Sequence, residues 1–404
     1  MRTVIKRSAA VCGASMLVAA GWVNPAAAAT PVSYVALGDS YSSGVGTGSY
    51  LNDGTNCQRS TYAYPSLLAA ATGWQLTFRA CSGATVADVS SGQLSSLSAG
   101  TGRVSISVGG NDAGFADVLT ECALPGWMSN CNRAIDGAQG YIRDTLPGRL
   151  SGLYSDIRAR AGAAEVVVVG YPRLFNGEDC NAGTWFSPAE ESRLNATADL
   201  LNATLRTAAG NAGYRFADPT NAFVGHAVCD NPEWLNGLSW PITESYHPNR
   251  AGQASGYLPL VSAAANTTAV ASPEVLARAA ASADTLTARV RPDAATDRTV
   301  QPKKFAKPDL DSPAAKAAAA RAGIDLDQLK AADKAAAAAW AKTKNAAKAA
   351  GDHAASKAAE WGSAAAGKAS EWGSAAAGKA SEWGSAASGK ASEWGSSIGS
   401  VFGG

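Results

Sequence analysis

One serine turn and three histidines set the chemistry open to this chain. Gly38-Asp39-Ser40 ends the apolar run Tyr34-Val35-Ala36-Leu37 and is followed by Tyr41-Ser42-Ser43-Gly44. A buried strand that stops in a tight turn reads this way. The turn presents a hydroxyl at the carboxyl end of a strand, where open α/β sheets bind their ligands. To attack a carbonyl, that hydroxyl needs a base, a group that orients the base, and donors for the developing oxyanion. His353 lies in an alanine-rich tail, and His226, after Phe223-Val224-Gly225, reads as structural or pocket-lining. His247, in Ser245-Tyr246-His247-Pro248-Asn249, precedes a helix that the proline can open, and is the expected base. Gly83, in Cys81-Ser82-Gly83-Ala84, and Asn111, in Gly109-Gly110-Asn111-Asp112, each follow an apolar stretch and so reach the same sheet edge. The backbone N–H groups of Ser40 and Gly83 and the side-chain amide of Asn111 would supply three oxyanion donors.

The elements that must position these groups alternate between strand and helix over residues 30–265. Strands are expected at residues 33–37, 75–80, 104–108, 165–170 and 215–217, and helices at 64–72, 135–161, 187–209 and from about 250 to 264. Four successive valines after Glu165 mark a strand buried on both faces. Ser187-Pro188-Ala189-Glu190 combines a capping box with proline at the first helical position. Strands separated by helices imply an α/β fold, a parallel sheet with helices on both faces.

A net charge of +1 over 404 residues gives no overall field for capturing nucleic acid, and none is expected as a partner. Arg2, Lys6 and Arg7 precede an apolar run over residues 9–23, then Pro25 and four alanines. That is the pattern of a secretory signal peptide, here residues 1–29, cut near Ala28 or Ala29, which makes the protein extracellular. Cys12 would leave with it, and six cysteines would remain. An even number in an exported chain favours disulfides. Sequential pairing closes short loops and is expected: Cys57 with Cys81, Cys122 with Cys131, Cys180 with Cys229. No Cys-x-x-Cys occurs and no histidine adjoins a cysteine, so neither a metal site nor a cofactor is expected.

Residues 266–312 mix Thr, Ala, Pro and charge and read as a flexible linker. Residues 313–404 form an alanine-rich tail, solvated helix at first, then a repeat carrying Trp361, Trp372, Trp383 and Trp394. Their spacing of eleven is about three helical turns, so a helix would align them on one face. Two readings stay open. The glycines of each repeat weaken a helix and suit a spacer, whereas aligned tryptophans suit contact with a membrane or cell-envelope surface.

Taken together, Gly38-Asp39-Ser40, Gly83 in its Ala-Cys-Ser-Gly-Ala stretch, Gly109-Gly110-Asn111-Asp112 and His247-Pro248 resemble the four blocks of the SGNH (GDSL) hydrolase family. The wider stretches 34–48, 104–116, 170–173 and 245–252 are similar to its secreted bacterial lipase, esterase and phospholipase A1 branch. The resemblance covers about residues 31–261 and leaves the tail outside. It implies a flavodoxin-like three-layer α/β/α sandwich. It also implies Ser40 as nucleophile and His247 as base, with Ser40, Gly83 and Asn111 in the oxyanion hole. Three sequential disulfides and a metal-free attack on carboxylic esters, including those of acylglycerols and phospholipids, follow from it too. One position departs from the wider family, which has an aspartate three residues before the histidine where this chain has Glu244. Either Glu244 orients the imidazole, or a backbone carbonyl at Ser245 does and the pair is a Ser-His dyad, the reading preferred here.

The leading expectation is a secreted, monomeric serine hydrolase that cleaves acyl esters of lipids through an acyl-enzyme. Tyr41, Phe115, Phe223, Trp234 and Trp240 are the aromatic residues expected near the acyl chain. A carbohydrate deacetylase would share the machinery. A surface-binding protein acting mainly through its repeat tail is the alternative from another class, against which the complete set of four motifs argues. Gly395-Ser396-Ser397-Ile398-Gly399 fits a nucleophile elbow but has no strand before it and no histidine after it, so it reads as chance.

Overall fold

The structure, a computed structural model, describes residues 31–335, 337–339 and 342. The signal-peptide pattern and the four repeat tryptophans lie outside the described residues. Five strands form one parallel sheet: β1 (Ser33–Gly38), β2 (Gln75–Phe78), β3 (Arg103–Ser107), β4 (Glu165–Val169) and β5 (Arg215–Ala217). Their order is β2-β1-β3-β4-β5, so the chain reverses its direction of travel across the sheet between β1 and β3. That reversal opens a crevice at the carboxyl ends of these two strands, the usual ligand position of doubly wound sheets. The register places Val35 beside Val104 and Ala36 beside Phe78. Val166 to Val169 are all buried, as four apolar residues on both faces of a central strand require.

Helices Tyr64–Thr72 and Leu258–Ala264 pack together on one side of the sheet, and Cys131–Asp144, Leu146–Arg160 and Pro188–Asn211 on the other. This is the three-layer α/β/α sandwich. The single helical stretch expected at 135–161 is two helices. Pro147 sits in the first turn of the second, where its missing N–H costs nothing. The capping box at Ser187 and Glu190 is present, with both reciprocal hydrogen bonds. The three sequential disulfides are present, with S–S distances of 1.97, 2.00 and 2.00 Å.

Residues 266–312 correct the linker expectation. Ser272 caps a helix over Pro273–Ala281, and a second helix follows at Ala283–Val290. The first packs on helix Tyr64–Thr72 and the second on β2. Val275 and Ala279 are buried on one face of the first helix, and Leu286 and Val290 on one face of the second, each pair four residues apart. β2 is an edge strand, and Arg289 donates to the Leu76 carbonyl along it at 2.8 Å. The extension thus covers a row of backbone groups that would otherwise invite pairing with another chain. Farther on, Ser312 caps helix Pro313–Ala322, whose Ala315 and Ala319 are buried, so this helix is not solvated all round as expected.

Candidate active site

Asp39 and Ser40 sit where β1 turns into the short helix Ser40–Ser43. Asp39 caps it by accepting from the Tyr41 N–H. Gly38 adopts φ +120°, and a Cβ there would stand 2.3 Å from the Ser107 carbonyl oxygen, so only glycine lets β1 cross this close to β3. The turn aims the Ser40 hydroxyl along the crevice. His247 Nε2 lies 2.9 Å from Ser40 Oγ, although 207 residues separate them. The other ring nitrogen, Nδ1, lies 2.9 Å from the Ser245 carbonyl. A carbonyl can only accept, so Nδ1 carries the proton and Nε2 is left bare to accept from the serine.

Tyr246, between these two residues, has φ +60°, an uncommon conformation for a residue with a side chain. It turns the chain so that the imidazole folds back over the Ser245 carbonyl. The surroundings hold it there: the Tyr246 N–H donates to Asn236, and its carbonyl accepts from the Tyr41 hydroxyl at 2.9 Å. Its ring packs on Phe175, Phe186 and Phe305. Burial pushes His247 down from 6.5 to about 4, with the Ser245 carbonyl acting in the opposite direction. The Glu244 carboxylate is not bonded to the imidazole. Its carboxylate accepts from the Tyr50 hydroxyl at 2.6 Å, and its tie to His247 is a backbone one, the His247 N–H donating to its carbonyl.

The groups expected as oxyanion donors, Gly83 and Asn111, line the same cavity as Ser40. Neither the Ser40 nor the Gly83 N–H has an acceptor among the described residues. Gly83 needs to be glycine, because its φ is +83° and a Cβ would stand 2.3 Å from Pro302 Cα. Asn111 donates one amide N–H to the Ala84 carbonyl at 3.0 Å, which fixes the amide and leaves a second N–H toward the cavity. Asp112 accepts from the Val86 N–H and so joins the Gly83 and Asn111 loops. Replacing Asn111 by alanine is expected to lower kcat on a p-nitrophenyl ester by about 100- to 1,000-fold with little change in KM. A loss confined to KM would remove Asn111 from the oxyanion site.

Sequence reasoning passed over Asp39 itself. It is buried, and besides the Tyr41 N–H it accepts from the Ser107 hydroxyl at 2.6 Å and from Tyr171. Burial raises it from 3.8 to about 6 despite these three donors. Its role is to tie β1, β3 and the 170–173 loop together under the serine turn. Of the expected aromatic residues, Tyr41 and Phe115 line the cavity, together with Leu119, Ile142 and Leu201. Phe223 and Trp234 pack against each other instead, and Trp240 is exposed. His226 stacks on Trp234 and its Nδ1 faces the Pro232 carbonyl. His353 lies outside the described residues. No group of histidine, cysteine and carboxylate side chains able to hold a metal occurs among the described residues.

The family model for GDSL-like lipases and acylhydrolases matches residues 36–254, which takes in the serine turn, both donor loops and His247. The chain belongs to the GDSL-like lipase/acylhydrolase family. It is 48% identical over 265 residues to Lipase 1 of Streptomyces coelicolor, covering 65% of this chain and 95% of that one. Among solved structures it is similar to phospholipase A1 of Streptomyces albidoflavus, at 45% identity and a TM-score of 0.55, and to the extracellular lipase of Streptomyces rimosus, at 46% and 0.55. Each of these two matches covers 58% of this chain and 99% of the other. This GDSL hydrolase is a lipase/esterase acting on carboxylic esters.

Proposed function

We propose that Ser40 is the nucleophile and His247 its base, and that the enzyme cleaves fatty acyl esters of lipids, phospholipids included, through an acyl-enzyme. The observation that carries this is the 2.9 Å approach of Ser40 Oγ to the bare Nε2 of His247. In the reaction so read, Oγ attacks the ester carbonyl carbon and its proton passes to Nε2. The N–H groups of Ser40 and Gly83 and the Asn111 amide receive the oxyanion. The imidazolium then protonates the departing alcohol, and a water activated by the same ring releases the fatty acid. The Ser245 carbonyl holds the tautomer but stabilises the imidazolium less than a carboxylate would. The apolar wall of Phe115, Leu119, Ile142 and Leu201 suits an acyl chain better than a sugar, and relatives titled lipase and phospholipase A1 support the same choice. Export through the N-terminal segment fits the three disulfides and the relative titled an extracellular lipase.

The test compares turnover of short and long p-nitrophenyl esters, phosphatidylcholine and acetylated xylan. Activity on the long esters and the phospholipid is expected, and activity on the acetylated polymer alone would overturn the lipid reading. Because the base must be neutral, activity should survive well below the usual histidine range. The acid limb of kcat/KM is expected near pH 4, where the His247 ring protons, followed by NMR, should also titrate. A ring titrating near 6.5 would contradict its burial.

A further inference from the structure

We propose that residues 300–305 are an inhibitory strap across the active site and that Lys303-Lys304 is a proteolytic processing site whose cleavage opens it. The inference rests on the hydrolase reading of Ser40. Four strap residues, Pro302, Lys303, Lys304 and Phe305, line the same cavity as Ser40, Gly83 and His247. Pro302 lies directly on Gly83, an oxyanion residue. The buried Phe305 packs on Tyr246, the residue that turns the chain into His247, with ring centroids 5.0 Å apart. With the strap in place the cavity measures about 80 Å³, against roughly 300–1,000 Å³ for sites that enclose small-molecule ligands. Pro302 and Phe305 take up wall of this cavity that a long acyl chain would otherwise reach.

The strap is held at both ends and free of regular structure between them. Upstream, Asp297 is buried between Arg59 and Arg79. Downstream, the Ala306 N–H donates to Thr120 at 2.9 Å, and Asp333 accepts from the Gly183 N–H at 2.8 Å. Residues 300–309 form neither helix nor strand, and Lys303 and Lys304 are exposed. Lys303 pairs with Asp117 at the surface, and an exposed basic pair outside regular structure is what a protease specific for lysine requires. Hydrolysis adds water across the peptide bond after Lys303 or Lys304, leaving a carboxylate on one side and an amine on the other. A strap tethered at two ends then becomes two loose ends. The family match stops at residue 254, so strap and anchor belong to the extension.

The experiment is limited digestion of the intact protein with trypsin. Cut positions are read by mass spectrometry, with phosphatidylcholine hydrolysis and fluorophosphonate labelling of Ser40 followed in parallel. Lipid turnover is expected to rise about tenfold in step with the cut after Lys303 or Lys304, as for a site whose open form is about a tenth populated. A K303Q/K304Q variant should show no gain on digestion, although its other sites are cut. In the uncut protein, Phe305→Ala should raise lipid turnover by itself. Turnover that stays level or falls after the cut, no cut at this pair, an equal gain in K303Q/K304Q, or a loss in Phe305→Ala would each overturn the strap. Absence of labelling in both intact and cut protein would instead sink the assignment of Ser40, and the strap's role with it.

Discussion

Replacing Ser40 by alanine is expected to reduce ester hydrolysis by on the order of 10⁵- to 10⁶-fold and to abolish labelling by a fluorophosphonate, with the melting temperature little changed. His247→Ala should cost about as much, and the double variant hardly more, because nucleophile and base act as one unit. The geometry makes the comparison with Glu244 informative. The Nδ1 proton goes to the Ser245 carbonyl at 2.9 Å, while the Glu244 carboxylate is held by Tyr50. Glu244→Gln keeps an acceptor for Tyr50 and should therefore leave most of the activity. A loss approaching that of His247→Ala would show that the dyad is really a triad, with the carboxylate stabilising the imidazolium. Steady-state kinetics on one p-nitrophenyl ester, with the fluorophosphonate as a count of competent sites, decides the whole series.

Asp297→Ala is expected to destabilise the protein by about 3–5 kcal/mol, as removal of one partner from a buried ionic cluster does, and to lower the melting temperature by on the order of 10 °C. Arg59 and Arg79 are fully buried, and Asp297 bridges them at 2.5 and 3.0 Å. Asp53 and Asp293 supply the remaining partners, yet neither reaches both guanidinium groups. Removing Asp297 leaves each guanidinium one carboxylate, Asp53 or Asp293, but takes away the buried acceptor that both share and so their link to each other. Arg79 follows β2 closely and Cys81 is bonded to Cys57, so the loss falls next to the Gly83 loop. Thermal melts of the full chain read the effect. A shift of only a degree or two would mean that the extension merely rests on the hydrolase and is not part of its core.

Much of the fold is written locally. β1 and β4 are short apolar runs that end at glycine, and burial on both faces makes such runs nearly continuous. The capping box at Ser187 is likewise a contact between neighbours in sequence. The extension carried comparable signals that alanine diluted: Ser272 before Pro273, Ser312 before Pro313, and buried residues at helical spacing.

The amino-acid sequence by itself settled which residues could form the site, because a hydroxyl, an imidazole, an amide and a backbone N–H each stand in a recognisable turn. Only the tertiary structure decided which group the Nδ1 side of the imidazole faces. Glu244 and Ser245 are adjacent, and the choice depends on the positive φ of Tyr246 and on a tyrosine 194 residues away. The anchoring of the extension was likewise beyond local reading, since Arg59 and Asp297 meet across 238 residues. Pairings of that length leave no period or motif in the chain; they exist only once the sheet and its helices have brought the partners together.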